Sequence, residues 1–192
     1  MKKKNTSLVR VVVFTVFMIC LFSQNVNAFI YRSGEVVKGF DYKGNEREFS
    51  ICASIEDNIK YLYFKGETDT ENALVKIKYS EALRDSLINA VLKSFDWSVV
   101  AIKNEVDVLK KVGCFGECSE KKILKNQMRF YFISKGKYVA LGIYLVDMDD
   151  VSNISRIILN GIEILSLLSP LDQIEETFEK CVETINNQSL FK

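Results

Sequence analysis

The chain predicts an α+β fold: two antiparallel strand meanders, in one sheet or two, with middle helices and a C-terminal helix packed on them. Three observations carry that prediction. Short segments in which apolar and polar residues alternate recur on both sides of a middle stretch, residues 80–112, whose apolar residues fall at helical spacing. The second group of strands is dense in aliphatic and aromatic residues and broken by Lys-Gly-Lys and Asn-Gly, both turn sequences. After it, Ser169-Pro170 opens an amphipathic segment as a helix cap followed by proline in the first turn.

The first meander begins with a strand around Glu35 to Tyr42, turns at Lys43-Gly44-Asn45, and continues from Arg47 to Ile55. In that second strand Phe49, Ile51, Ala53 and Ile55 alternate with Ser50, Cys52 and Ser54, the period of a half-buried strand, so Cys52 faces away from the apolar row. Glu56-Asp57-Asn58 leads into a strand from Lys60 to Lys65, and the loop 66–72 into Ala73 to Tyr79, where Val75, Ile77 and Tyr79 oppose Lys76 and Lys78.

Ser80 caps a helix with Glu81 in its first turn and Leu83, Leu87, Ala90 and Val91 at helical spacing. A second helical segment is expected from Asp96 to Val112, burying Val99, Ile102, Val106 and Leu109 and stopping at Gly113. Trp97 is read as a packing residue.

The second meander is expected to have four strands: Met128 to Ser134, Tyr138 to Val146, Ile154 to Leu159 and Ile162 to Leu168. Asn160-Gly161 suits a two-residue type I′ turn, whose central residues both need positive φ, and this pairs Leu159 with Ile162 and Ile157 with Ile164. Tyr138 and Tyr144 flank Ala140 and Gly142 on one strand face, which leaves either a shallow groove or room for a helix to approach. The last helix presents Ile174, Phe178, Cys181, Val182 and Ile185 to a sheet.

Lys2, Lys3, Lys4 and Arg10, an apolar run from Val11 to Phe22, and Val26-Asn27-Ala28 together form a bacterial secretory signal peptide over residues 1–28, cleaved after Ala28. The apolar run falls short of the roughly 20 residues that span a bilayer, so no stable membrane anchor is expected after cleavage. Residues 29–192 are expected to form one exported domain, periplasmic or secreted. Four of the 26 basic and none of the 25 acidic residues precede Phe29, so this exported part is slightly acidic, with no basic stripe to suggest nucleic acid.

The chain has no histidine, which removes Ser-His-Asp and Cys-His mechanisms and the usual zinc enzymes. No glycine-rich phosphate loop follows a strand. For a carboxylate-pair hydrolase, Glu46, Glu48, Asp147 and Asp149 are available without informative spacing. Neither a cofactor nor a metal is expected.

Cys52, Cys114, Cys118 and Cys181 lie beyond the signal peptide, and in an oxidising compartment they suggest two disulfides, Cys114 with Cys118 and Cys52 with Cys181. A redox pair at Cys114 and Cys118 is the alternative, although their spacing is not Cys-x-x-Cys. Asp147, Asp149, Asp150 and Asn153 form an acidic loop that reads as a solvated turn and is the expected partner-binding site.

By exclusion, the sequence predicts a non-enzymatic exported binding protein acting by protein–protein contact, such as an inhibitor, an immunity factor or an envelope accessory protein. The alternatives are a hydrophobic-ligand (lipid) carrier, using space between the apolar hairpin and the helices, or a thiol-based redox protein.

Overall fold

A computed structural model describes residues 30–189. The expected signal peptide lies outside them. Eight strands form one antiparallel sheet: β1 (Tyr31–Phe40), β2 (Glu46–Glu56), β3 (Ile59–Glu67), β4 (Asn72–Lys78), β5 (Val108–Gly116), β6 (Gln127–Lys135), β7 (Tyr138–Val146) and β8 (Ile154–Asn160). Their spatial order is β4-β3-β2-β1-β8-β7-β6-β5. Each half is thus a sequential meander, and the halves join where β1 meets β8 at Phe40 and Ile158. This is the α+β class, built on one sheet.

The sheet rolls over its own apolar face. Ser155 Oγ on β8 donates to Glu67 O at the end of β3, at 2.7 Å. Gly66 permits the approach, since a Cβ there would sit 2.6 Å from Ser155 Oγ and 2.8 Å from a Leu145 methyl. The edge of β4 is covered by the other half. Met148 N donates to Leu74 O, Leu74 N donates to Asp147 Oδ2 at 2.7 Å, and Lys76 N donates to Asn126 Oδ1 at 2.7 Å. Three edge groups that would otherwise face solvent or another strand are satisfied internally.

Helices fill the inner side of the roll. Helix α1 (Glu81–Asn104) starts where Ser80 Oγ accepts from Leu83 N and buries Leu87, Val91, Ser94, Ser98 and Ala101 toward β5, β6 and β7. A 3₁₀ segment (Gly161–Leu167) and a short helix α2 (Leu168–Asp172) follow β8, and α3 (Ile174–Ser189) covers β1 and β2. One buried cluster combines Phe49, Phe64 and Leu62 of the first meander with Phe130, Ile143 and Leu145 of the second, and with Ile164 and Phe178.

Three expectations are corrected. The helix does not reach Val112. It ends at Asn104 with Glu105 in the left-handed region (φ 50), and the chain re-enters the sheet as β5, where a register irregularity lies between Lys111 and Gly113. The residues expected to form its buried stripe, Val99, Ile102, Val106 and Leu109, are all exposed.

Asn160-Gly161 is not a hairpin turn. Asn160 has φ −89, and its N–H donates to the Glu163 carboxylate at 3.0 Å, a capping arrangement that starts the 3₁₀ segment. The fourth strand of the second meander is β5, and Ile162 points to solvent.

Cys114 and Cys118 are bonded, but Cys52 and Cys181 are free thiols. Helix α3 packs on the apolar row of β2, where Cys181 Sγ meets Ala53 O at 3.7 Å. Cys52 lies on the opposite face, against Tyr63 of β3. Strand alternation alone separates the two sulfurs.

Candidate functional site

The helices occupy the inner face, so the outer face of β5–β8 is open to solvent. Antiparallel register sets its side chains in rows. One row runs Cys114, Arg129, Tyr144, Arg156 across all four strands, and the next runs Lys111, Tyr131, Gly142, Ile158. Strands lie about 4.8 Å apart, so two arginines flank one tyrosine with about 10 Å between their backbones. Gly142 makes room in the second row: a Cβ there would meet the Tyr144 ring at 3.1 Å and an Ile133 methyl at 3.3 Å. The Tyr144 ring leans into that space and takes Tyr131 edge-on, with centroids 5.2 Å apart.

Around these residues lies an open groove of about 350 Å³, walled by Leu109, Ile123, Val146 and Ile154. The Ile123 wall is built from a distance. The Cys114–Cys118 disulfide closes the start of the 117–125 loop, and Arg129 Nη2 donates to Ser119 O and Lys122 O, both at 2.9 Å, while its Nε donates to Gln127 Oε1. The disulfide and Arg129 thus hold the loop over the sheet. Leu109 is 74% exposed and Ile123 55%, which leaves two large aliphatic side chains at the rim without protein cover.

Arg156 is positioned differently. It is exposed, with its guanidinium 5.9 Å from the Tyr42 ring centroid and 6.0 Å from that of Tyr144. It makes no ion pair or hydrogen bond among the described residues. The acids nearby are already occupied. Asp41, on the Tyr42 side, accepts from Lys43 N, Asn45 N, Asn45 Nδ2 and the Arg47 guanidinium at 2.8–3.2 Å, and Arg47 also pairs with Asp69. Burial works against the Asp41 charge, yet the Asn45, Lys43 and Arg47 hydrogen bonds prevail and hold its carboxyl well below the usual carboxylate range. A small hollow of about 60 Å³ joins Asp41, Arg47 and Asp69 to Arg156, so the groove continues onto the first meander.

The acidic loop is placed beside this groove, and its members divide. Asp147 is buried, and its carboxylate accepts from Leu74 N, Asp149 N and Asp150 N, which commits it to closing the roll. Asp150 is exposed and takes both Ser152 N and Ser152 Oγ; its carboxyl is shifted down by these bonds, chiefly the backbone one. Asn153 Nδ2 donates to Asn72 O, and Asp149 is exposed. Asp150, Ser152 and Asn153 share a polar hollow of about 400 Å³ with Asp69 and Glu71, and Ile154 separates it from the aromatic groove. Among the described residues, no group of three or more His, Cys, Asp or Glu side chains is arranged to hold a metal.

Of the residues singled out in the sequence, Tyr144 and Leu109 line the groove, and Gly142 lies beside the Tyr144 ring. Tyr138 stands at the far end of β7, its hydroxyl 2.8 Å from Asn160 Oδ1. Trp97 packs edge-on against Phe132, with Lys93 and Lys110 over its ring. Arg129 and Arg156 were not anticipated. Both alternate onto the Tyr144 face of their own strands, but their meeting depends on cross-strand register, which single-strand periodicity does not contain.

No protein-family model, no curated protein and no solved structure matches the chain.

Proposed function

We propose that the protein is a non-enzymatic exported binding protein that acts by contact with another protein through the outer groove of β5–β8. The observation that supports this is Arg156, an unpaired guanidinium set between the Tyr42 and Tyr144 rings, 5.9 and 6.0 Å from their centroids, at the end of an apolar groove. Aromatic rings and arginine are the residue types that dominate binding energy at protein interfaces, and the exposed Leu109 and Ile123 supply apolar rim area. The segment that fits is an apolar stretch carrying one carboxylate, with the acid on Arg156 and the apolar residues over Tyr131, Val146 and Ile154. Binding would remove Arg156 from water and give it the bidentate partner it lacks.

The lipid-carrier reading relied on space between the apolar hairpin and the helices. The 3₁₀ segment and α2 occupy that space themselves, with Ile164, Leu167 and Leu171 at most 2% exposed.

The test is a pulldown from envelope extract at physiological salt with the wild-type protein, Arg156→Gln and, as a remote control, Lys78→Gln. A specific protein is expected to be retained by wild type and by the control. Arg156→Gln is expected to weaken binding by roughly 2 kcal/mol or more, about thirty-fold. Retention that ignores Arg156 would remove the groove from the proposal, and absence of any retained protein would remove the contact reading itself.

A further inference from the structure

The loop that walls the groove is held to the sheet by one covalent bond, placed where a reductant can reach it. Cys118 is exposed, and Cys114 is half-buried and borders an open hollow of about 370 Å³ between α1 and β5. The bond joins residues only 4 apart in sequence, so it restricts the unfolded chain little and contributes correspondingly little to global stability. None of residues 117–125 is buried. Among the described residues, what else ties residues 119–123 to the sheet is the pair of Arg129 hydrogen bonds to Ser119 O and Lys122 O and an exposed Lys111–Glu120 ion pair at 4.0 Å. Cys114 stands directly opposite Arg129 in the pairing of β5 with β6, and its Sγ lies 3.9 Å from Gln127 Oε1, the atom that Arg129 Nε also reaches. A neighbouring cation favours a thiolate, so the Cys114 sulfur is the better leaving group of the two.

We propose that the Cys114–Cys118 disulfide is a redox-operated latch on the groove. A thiolate of a dithiol reductant attacks the exposed Cys118 sulfur, the bond between the two sulfurs breaks, and Cys114 leaves as a thiolate that takes a proton from water and finds an acceptor in Gln127 Oε1. The reductant's second thiol then displaces Cys118 from the mixed disulfide, so the reductant ends as a disulfide and the protein gains two electrons and two protons. Release lets residues 117–125 leave the sheet. The Ile123 wall goes with them, and Arg129 loses the Ser119 and Lys122 carbonyls and faces the groove across Tyr144 from Arg156. The oxidised groove is walled and offers the Arg156 guanidinium; the reduced one is open and offers Arg129 as well. The effect on partner binding rests on the proposed function, whereas the latch itself does not.

The purified protein, expressed from the whole sequence, is compared before and after treatment with about 5 mM dithiothreitol at about pH 8. Thiol titration of the folded protein should gain two thiols while the far-UV circular dichroism spectrum stays unchanged. Trypsin cleavage after Lys121 and Lys122, both exposed, should then speed up roughly tenfold or more, because the loop opens without the sheet. The C114S/C118S variant should be cleaved as fast as reduced wild type, with or without dithiothreitol, which separates the latch from Cys52 and Cys181. In the envelope pulldown, the protein retained by oxidised wild type should bind C114S/C118S roughly tenfold more weakly. A bond that resists reduction in the folded protein, a circular dichroism spectrum lost on reduction, or unchanged loop cleavage would each overturn the latch. A retained protein that binds both forms alike would overturn its control of the groove. An extract that yields no retained protein would remove the proposed function, while the thiol and cleavage results still decide the latch.

Discussion

At the β1–β2 turn, one carboxylate organises three residues. Asp41 draws Lys43 N, Asn45 N and Nδ2 and the Arg47 guanidinium onto two oxygens, and in doing so it presents Tyr42 to Arg156. Its carboxyl is held below its ordinary range when folded, whereas in the unfolded chain it titrates near pH 3.9. A depressed folded pKa gives stability that is complete above the unfolded value and is lost as pH falls through about 4 toward the folded one. Asp41→Asn is therefore expected to lower the urea midpoint at pH 7, with the gap to wild type narrowing steadily as pH falls from about 5 to about 2. A gap independent of pH over that range would mean that the charge contributes nothing.

The free thiols also belong to the residue scale. Burial pushes both the Cys52 and the Cys181 thiol up, so neither is a reactive thiolate near pH 7. The alternation of β2 already showed Cys52 off the apolar row. What the sequence did not contain was that α3 covers that row, which places Cys181 on the wrong side of β2 for a bond.

Among the elements, β5 and the segment after β8 depart furthest from expectation, for different reasons. Val99, Ile102, Val106 and Leu109 fit a helical stripe, while Val108, Lys110 and Val112 fit a strand equally well. Pairing with β6 decides between them, since only the strand gives β6 a second neighbour and lets Phe115 pack edge-on against Phe130, with centroids 5.3 Å apart. After β8, Ile162 to Leu168 is apolar enough for a strand. Glu163 instead caps Asn160 N, and the 3₁₀ coil sends Ile164 and Leu167 into the core under α1.

Where β3 crosses β8, the roll rests on the missing side chain of Gly66. Gly66→Ala is expected to destabilise the protein by about 1–3 kcal/mol, because the added methyl meets Ser155 Oγ and Leu145 closer than van der Waals contact and both are buried. Chemical denaturation measures it. A loss below about 0.5 kcal/mol would show that the two layers part easily at that point.

For the whole molecule, one disulfide and a self-covered sheet replace the two-disulfide framework that the cysteine count suggested. Counting from Ile30, alkylation of the denatured, unreduced protein should label two cysteines, and prior reduction should raise this to four. In the native protein Cys181 should resist labelling, being 1% exposed. Two labels lost to a Cys52–Cys181 bond would require α3 to leave the face of β2 on which it now packs. The β4 edge needs no such staple, because Leu74 and Lys76 bond to Asp147 and Asn126 from the other half.

By itself the sequence determined what is local: the alternation of β2 and β4, the Ser80 cap, the Lys43-Gly44-Asn45 turn and the inward face of α3 around Ile174 and Phe178. These follow from period, propensity and side-chain-to-backbone bonds within a few residues. Tertiary structure decided everything that depends on two distant segments choosing the same place: the β1–β8 junction, the roll that buries Asp147, the separation of Cys52 from Cys181, and the row that brings Arg129 and Arg156 to either side of Tyr144. The physical reason is register. A strand's own pattern says which face each residue occupies, but not which residue of another strand will stand beside it.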